Sequence, residues 1–257
     1  MCLLVLAWQA HSRYRLVVAA NRDEYHARPA ASLSPWKIPE MLAGRDLLAG
    51  GTWLGVDRRR RFGIVTNFRD LQQPKQDAPS RGQLVPDYLG AAAPAATFLA
   101  QLSPFAQRYS GFNLLLTDEH SLWYACNRAA SFAQALAPGV YGLSNEFLDT
   151  PWPKLQRVKA RFGSWLQESD GTPEELFAML GDRTPSEAPA GEAGSANAEW
   201  DRALSAPFVR HDRFGTRSST VLLLDMAGAL RIVERRFDEQ GNTLGEAGYV
   251  LAPDEWP

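Results

Sequence analysis

The sequence has few cysteines, few histidines and no long apolar run. Only Cys2 and Cys126 occur among 257 residues, too few for a disulfide scaffold, and a reducing compartment would keep both as thiols. The four histidines, at positions 11, 26, 120 and 211, lack the spacing of a zinc site. No segment approaches the roughly 20 apolar residues of a membrane helix. These absences exclude a disulfide-rich secreted domain and predict neither a structural metal nor a membrane span.

The chain also lacks an excess of charge of one sign. Its 27 Lys and Arg against 29 Asp and Glu give a formal charge of -2, so no global field favours nucleic acid, an anionic membrane or a polyanionic substrate. The N-terminus, Met-Cys-Leu-Leu-Val-Leu-Ala-Trp, has neither the basic start nor the small-residue cleavage site of a signal peptide, which predicts a cytoplasmic protein. With 45% hydrophobic and 22% charged residues, the composition is that of a globular protein.

Apolar runs of strand length recur along the chain between turn residues. They cover residues 3–8, 14–20, 53–56, 62–67, 112–117, 121–125, 221–224 and 230–237. Short polar links join them as four hairpins, which predicts antiparallel meanders and not parallel βαβ units. Many of these runs are apolar at consecutive positions, as expected for a sheet covered on both faces.

Three segments between the hairpins carry helical signals. Residues 94–102 end before Pro104, residues 152–167 repeat apolar side chains at helical spacing, and residues 172–180 begin with Thr-Pro-Glu-Glu. Residues 185–197, rich in Ala, Gly, Pro and Glu, predict an exposed loop. The whole pattern predicts a single α+β domain over residues 1–257, with two antiparallel sheets and helices outside.

Cys2 is the most suggestive residue because of its position. Initiator Met is usually removed when the second residue is small, and this would leave Cys2 with a thiol and an α-amine on one residue. An α-amine, whose ordinary pKa is about 7.7 to 8.0, can act as a general base near neutral pH, and this is the design of an N-terminal nucleophile. The alternative is a small apolar residue at the start of a core strand.

A polar cluster, Asn-Arg-Asp-Glu at 21–24, follows the second apolar run directly. The first hairpin would bring it back beside Cys2, where Arg22 or Asp23 could orient the amine, stabilise a thiolate or bind a carboxylate or phosphate. The alternative is a turn with a surface ion pair. Arg217, just before another apolar run, is a further candidate, and a surface ion pair is again the alternative.

Two asparagines end strands elsewhere in the sequence. Asn67 closes the run 62–67 and Asn145 closes the segment 140–144. A side-chain amide N–H is the donor needed to stabilise the oxyanion of an acyl-transfer intermediate. Each could equally be a turn or cap residue.

Paired glycines and a run of arginines flank the strand 53–56. Gly50 and Gly51 allow positive φ and the close approach of a ligand or another backbone, but lack the spacing and the Lys of a P-loop, so a tight turn is favoured. The four arginines at 58–61 predict a solvated hairpin tip without the interleaved aromatics that would stack on bases.

Several of these motifs together resemble the NRDE family. In order, they are Met-Cys at 1–2, Ala-Asn-Arg-Asp-Glu at 20–24 with Arg-Pro at 28–29, Ala-Gly-Arg-Asp at 43–46, Gly-Gly-Thr-Trp-Leu-Gly at 50–55, Thr-Asn-Phe-Arg at 66–69, Gly-Leu-Ser-Asn at 142–145 and Thr-Arg-Ser-Ser-Thr-Val at 216–221. The resemblance covers almost the whole chain. Its eukaryotic members are associated with lipid and acyl-CoA homeostasis and with haem trafficking, which implies a non-catalytic binding protein as one alternative.

A more distant similarity is to cysteine N-terminal-nucleophile hydrolases of the choloylglycine hydrolase and penicillin V acylase type, whose fold is an αββα sandwich. The roles it implies are Cys2 as nucleophile, Asp23 as orienter of the amine, Asn67 and Asn145 as oxyanion-hole donors and Arg217 as a late site arginine. The other arginine of those enzymes precedes the aspartate by three residues, where this chain has Ala20. Bile-salt or penicillin specificity is therefore not carried over.

The predicted activity is hydrolysis or acyl transfer on a small amphipathic amide or acyl thioester. The predicted substrate-binding residues are Asn21, Arg22, Trp53 and Arg69, because arginines suit a carboxylate or phosphate on an otherwise apolar molecule. No cofactor is predicted. Haem is the possible ligand of the alternative hypothesis, held through Cys2, His11 or His26, although His11 in a hairpin turn is expected to be solvated.

Overall fold

Strands account for most of the regular structure in this computed structural model, which describes residues 2–69, 77–168, 171–186 and 198–257. The strands are β1 (Cys2–Trp8), β2 (Tyr14–Tyr25), β3 (Ala30–Lys37), β4 (Glu40–Asp46), β5 (Leu54–Asp57), β6 (Phe62–Asn67), β7 (Phe112–Thr117), β8 (Leu122–Cys126), β9 (Ala133–Leu136), β10 (Gly139–Leu143), β11 (Arg210–His211), β12 (Phe214–Asp225), β13 (Leu230–Phe237) and β14 (Thr243–Leu251). The helices are α1 (Leu84–Gly90), α2 (Ala95–Leu102), α3 (Pro153–Gln167), α4 (Pro173–Leu180) and α5 (Ala198–Leu204).

The strands form two sheets, one in each of two compact units. The first unit comprises Met1–Ala27, Pro138–Ser144 and Leu148–Val250, and its sheet has the order β10-β1-β2-β12-β13-β14, with β11 paired to β12. The second comprises Arg28–Ala137, Asn145–Phe147 and Leu251–Pro257, and its sheet has the order β3-β4-β5-β6-β7-β8-β9. The α+β class with two antiparallel sheets is confirmed, whereas the αββα stacking and the single domain stay predictions.

In the first unit, α3 and α4 cover one face of the sheet. Successive strand residues point to opposite faces, and Leu3, Val5 and Ala7 of β1 pack in a core with Val158 and Phe162 of α3. The intervening strand residues are buried as well, with Leu4 and Leu6 fully inaccessible. Burial on both faces explains why this strand is apolar at every position.

In the second unit, α1 and α2 cover one face of the other sheet. Val85 and Tyr88 of α1 and Leu99 of α2 pack in a core with Leu114 and Leu116 of β7. The buried hydroxyl of Tyr88 has a hydrogen-bond partner, because it donates to the carbonyl oxygen of Thr117 at 2.8 Å.

The predicted hairpins and helices are largely confirmed. Antiparallel pairing joins β1 to β2, β5 to β6, β7 to β8 and β12 to β13. The three predicted helices correspond to α2, α3 and α4, and Thr172 with Glu175 forms a capping box at the start of α4. Residues 187–197 of the predicted loop lie outside the described residues.

Sequence patterns missed the less apolar elements. The strands β3, β4, β9, β11 and β14 and the helices α1 and α5 were not predicted. In β14 the burial alternates between half-buried and exposed over Thr243–Val250, so the strand has no apolar run to find. None of the helices in the described ranges is long and apolar enough to cross a membrane.

Two predictions were wrong: the end of the second strand, and the solvent exposure of Arg60 and Arg61. The second strand runs on to Tyr25, so the polar residues 21–23 lie inside a buried strand and not in a turn. Arg60 and Arg61 are also buried, because Arg61 pairs with Asp57 at 2.8 Å and Arg60 donates to carbonyl oxygens of the C-terminal segment, among them that of Ala252 at 2.6 Å. Asp57, four residues before Arg61, and the C-terminal segment, 192 residues after Arg60, thus satisfy polar groups that would otherwise need water.

The tight-turn interpretation of the paired glycines yields the first testable prediction. Gly50 has φ +77°, and a Cβ on Gly51 would overlap the carbonyl oxygen of Gly82, which Thr52 N–H holds at 2.9 Å. We expect Gly51→Ala to lower the free energy of unfolding by about 1–3 kcal/mol, since the backbone must move apart. Urea denaturation measures this, and Gly245→Ala, whose Cβ meets open space, is the matched control.

Candidate functional site

Cys2 opens a row of polar side chains that crosses three strands of the first unit. It lies directly opposite Arg22 of β2, and Arg22 lies opposite Ser218 of β12. Residues opposed in antiparallel strands point to the same face of the sheet. The row Cys2, Arg22 and Ser218 is therefore on the face opposite to α3 and α4.

Cys2 is a buried residue, only 8% exposed. Burial raises its pKa, and the charge of Asp23 acts in the same direction, while the backbone N–H of Asp23 and the charge of Arg22 oppose the shift. A raised pKa keeps the thiol protonated at neutral pH. Nucleophilic attack by this thiol therefore requires a nearby base.

Asp23 is placed beside Cys2 along β2 but faces the other way. Leu3 pairs with Asn21 and Cys2 with Arg22, so Asp23 is the residue of β2 that follows the partner of Cys2. Its carboxyl points to the helix-covered face, where Oδ1 accepts a hydrogen bond from Thr216 Oγ1 at 2.7 Å. Burial raises the pKa of this carboxyl, and the positive charge of Lys154 and the Thr216 hydrogen bond counteract the shift.

Lys154 of α3 is a charged residue that sequence analysis missed. It is 4% exposed, and its Nζ donates to the carbonyl oxygen of Leu204 at 2.7 Å. One signal was present in the sequence: Lys154 lies four residues before Val158, on the flank of the apolar stripe of α3. The lysine brings a buried positive charge to the side of the sheet that carries Asp23.

Arg217 sits at an irregularity in β12. Thr216 pairs with Asp23 and Ser218 pairs with Arg22, so Arg217 is the extra residue of a β-bulge. Its Nη1 donates to Nδ1 of His26 at 2.9 Å and contacts the His26 carbonyl oxygen at 3.3 Å. Bulges commonly redirect a side chain beside a functional site, and this one was not visible in the sequence pattern.

Asn21 has structural partners. Its Nδ2 donates to the carbonyl oxygens of Leu180 at 2.9 Å and Pro207 at 3.0 Å, and its Oδ1 accepts from Ser219 Oγ at 2.6 Å. These bonds use both amide hydrogens and the carbonyl, on the face opposite to Cys2. Asn21 therefore connects β2 to the end of α4 and to the segment before β11.

The other predicted site residues belong to the second unit. Asn145 Nδ2 donates to the carbonyl oxygen of Asn67 at 3.0 Å, and the backbone N–H of Arg69 donates to the carbonyl oxygen of Asn145. Trp53 lies just before β5, and its backbone carbonyl oxygen accepts a hydrogen bond from Val65 N–H at 2.8 Å. This unit thus brings Asn67, Arg69 and Asn145 together.

The first unit gathers Cys2, Arg22, Asp23 and Arg217 at one end of β1, β2 and β12. The convergence of all five predicted catalytic residues on one pocket stays a prediction, as does the oxyanion-hole role of Asn67 and Asn145.

The two histidines predicted as candidate haem ligands have hydrogen bonds at their ring nitrogens. His11 follows β1 at the end opposite to Cys2, about 20 Å away for a strand of this length, and its Nδ1 accepts from the backbone of Arg13 at 3.0 Å. His26 uses both ring nitrogens, Nδ1 with Arg217 and Nε2 with the His211 carbonyl oxygen at 3.0 Å. Among the described residues there is no cluster of three or more His, Cys, Asp or Glu side chains that could hold a metal ion.

Comparison with known proteins identifies the family. The family model described as Transport and Golgi organisation 2 matches residues 1–239. The chain is 33% identical over 258 residues to the mouse Transport and Golgi organization 2 homolog, covering 91% of this chain and 92% of that protein, and 33% identical over 256 residues to the human homolog with the same coverage. It is 24% identical over 259 residues to the Drosophila melanogaster protein, at 91% of each chain. The resemblance seen in the motifs is therefore confirmed, and the chain belongs to the Transport and Golgi organisation 2 family.

Proposed function

We propose that the protein is an N-terminal cysteine amidohydrolase or acyltransferase acting on a small amphipathic amide or acyl thioester. The observation that carries the proposal is the register of β1 and β2. Cys2 lies opposite Arg22, the neighbour of Asp23 on β2, and the backbone N–H of Asp23 donates to the Cys2 thiol. Removal of Met1 would expose an α-amine at that point, next to the Asp23 carboxyl.

The electrostatics of the thiol support an N-terminal base. Because burial raises the pKa of Cys2, the thiol needs a proton acceptor before it can attack. A free α-amine on the same residue supplies one without a separate histidine. Asp23, held by Thr216, would orient that amine through its carboxylate.

The proposed reaction proceeds through an acyl-enzyme. The α-amine takes the thiol proton, and the Cys2 sulfur forms a bond to the substrate carbonyl carbon. The tetrahedral intermediate then collapses, the bond to the leaving amine or thiol breaks, and the α-ammonium returns the proton to that leaving group. Water or an acyl acceptor attacks the thioester on Cys2 and regenerates the thiol.

Intact-mass spectrometry combined with acylation by a short-chain acyl thioester tests this proposal. We expect the purified chain to begin at Cys2 and to gain one acyl group on that residue. Cys126→Ala is the matched control, because Cys126 is also buried with a raised pKa but has no α-amine, and this variant should be acylated as fully as the unaltered protein.

Two variants complete the design. Cys2→Ala should gain no acyl group, and a chain with an N-terminal extension that blocks the amine should be equally inert. Circular dichroism verifies that both are folded. Acylation of protein that retains Met1, or an adduct on Cys2→Ala, would overturn the mechanism. The absence of any adduct in protein that begins at Cys2 would favour a non-catalytic binding protein.

A further inference from the structure

The hydrogen bonds around His26, the histidine next to the bulged arginine, define which of its ring nitrogens is the acceptor. An arginine can only donate hydrogen bonds, so His26 Nδ1, at 2.9 Å from Arg217 Nη1, must be the acceptor. The other ring nitrogen, Nε2, then carries the hydrogen and donates to the His211 carbonyl oxygen at 3.0 Å. This pair of hydrogen bonds uses the Nε2–H tautomer of His26 and holds the ring from both sides.

Gly215 provides the space for this histidine. A Cβ on Gly215 would lie 3.1 Å from His26 Cε1 and 2.9 Å from the Val209 carbonyl oxygen, both closer than ordinary contacts. Gly215 lies opposite Glu24 in the ladder, so that Cβ direction is on the same face as Glu24, Arg22 and Cys2. The His26 ring and the Arg217 guanidinium that contacts it thus belong to the Cys2 face.

Within the described part of the chain, the side-chain hydrogen bonds of Arg217 come from one of its nitrogens. Nη1 directs its hydrogens to His26 Nδ1 and the His26 carbonyl oxygen. Within the ranges that the structure describes, no carboxylate lies within ion-pair distance of Arg217, whereas Arg22 on the same face has Glu24 at 3.7 Å. The edge formed by Nε and Nη2 is left to a ligand, and this edge matches the two oxygens of a carboxylate.

One strand separates the nucleophile from the strand that carries Arg217. β1 and β12 are separated by β2 alone, so the Cα atoms of Cys2 and Ser218 are about 10 Å apart. An acyl chain on Cys2 therefore has one intervening strand to cross before it meets the Arg217 side chain.

We propose that His26 is a positioning residue that holds Arg217 by Nη1, so that the Nε and Nη2 edge recognises a carboxylate on the acyl chain of the substrate. This inference rests on the proposed function and narrows its substrate class to acyl donors with a second, anionic end. The specificity arises from a guanidinium whose orientation is determined before the ligand arrives, which lowers the entropy cost of binding.

Two matched probes test the inference. A glutaryl thioester carries a terminal carboxylate, and the thioester in which this carboxylate is replaced by a carboxamide has the same length without the charge. We expect the unaltered protein to acylate Cys2 about tenfold to a hundredfold faster with the charged probe, the range typical of a hydrogen-bonded charge. The ratio of the two rates is the readout, since a general structural defect would lower both rates alike.

Four variants distinguish positioning from packing. His26→Phe removes the acceptor for Arg217 and should bring the ratio close to one, as should Arg217→Gln. His26→Asn keeps an acceptor oxygen near the position of Nδ1 and should restore most of the preference. Arg213→Gln changes an exposed neighbouring arginine and should leave the ratio as it is. An unchanged ratio in His26→Phe, or equal losses in His26→Phe and His26→Asn, would overturn the role of His26.

A binding measurement separates this inference from the proposed function. If neither probe acylates the unaltered protein, the proposed function fails, and titration with glutarate then decides the inference by itself. We expect glutarate to shift the Arg217 Nε–H resonance in NMR spectra, with affinity at least about tenfold weaker in His26→Phe than in His26→Asn. The absence of any shift, or equal affinities in these variants, would contradict it.

Discussion

Replacing Asp23 by Asn is expected to lower the rate of Cys2 acylation by about a hundredfold or more. Asn keeps an oxygen that accepts from Thr216 Oγ1, so the 2.7 Å contact survives and the shape of the side chain is conserved. What is lost is the negative charge beside the proposed α-amine. Stopped-flow acylation with an acyl thioester measures the effect, and an unaltered rate would remove Asp23 from the mechanism.

The same substitution, Asp23→Asn, is expected to raise the stability of the fold although it lowers the acylation rate. In the chain that retains Met1, burial raises the pKa of Asp23 above its unfolded value. Ionising this carboxyl therefore costs more free energy in the folded state than in the unfolded state. The free energy of unfolding therefore falls as pH rises from the unfolded pKa of Asp23 through its folded pKa. Below the unfolded pKa the carboxyl is protonated in both states, and the effect vanishes. Asp23→Asn should be more stable than the unaltered chain at neutral pH, and the difference should shrink on acidification.

Urea denaturation of the Met1-retaining form at neutral and acidic pH measures this difference, and intact mass verifies the N-terminus. Thr216→Val is a useful companion, because it removes the hydroxyl that bonds the carboxylate without changing the charge. An Asp23→Asn variant that is less stable than the unaltered chain at neutral pH would show instead that the carboxylate stabilises the fold.

Replacing Lys154 by Met is expected to lower the free energy of unfolding by about 3–5 kcal/mol. The substitution keeps most of the side-chain volume but removes the donor to the Leu204 carbonyl oxygen, which is 2.7 Å away. It also removes a positive charge that favours the ionised form of Asp23. A buried charge that loses its compensation costs far more than an exposed one.

Lys159 of the same helix provides the control. It pairs with Asp149 at 2.7 Å but is a third exposed, so Lys159→Met should cost less than about 1 kcal/mol. A double-mutant cycle measures the interaction between Lys154 and Asp23. We expect Lys154→Met to lower the free energy of unfolding by about 1 kcal/mol less in the Asp23→Asn background than in the unaltered chain. Strict additivity would show that Lys154 and Asp23 do not interact.

The candidate site could be predicted in part. Cys2 was identified from its position in the chain, and Arg22, Asp23 and Arg217 from abrupt changes between apolar and polar residues. Sequence analysis did not identify the contact between His26 and Arg217, which are 191 residues apart. It also did not identify Lys154 as a buried charge that acts on Asp23. No local pattern encodes such a contact.

The sequence by itself determined the local elements. The apolar runs and the turn residues between them specify the hairpins, since strand period and turn chemistry act over a few residues. The tertiary structure alone decided how far β2 extends and which face each of its polar residues occupies. Asn21 and Asp23 can be buried because Ser219 and Thr216 supply partners from 198 and 193 residues away. Burial of a polar group depends on its hydrogen-bond partner, and that partner is defined only when β2 and β12 lie side by side.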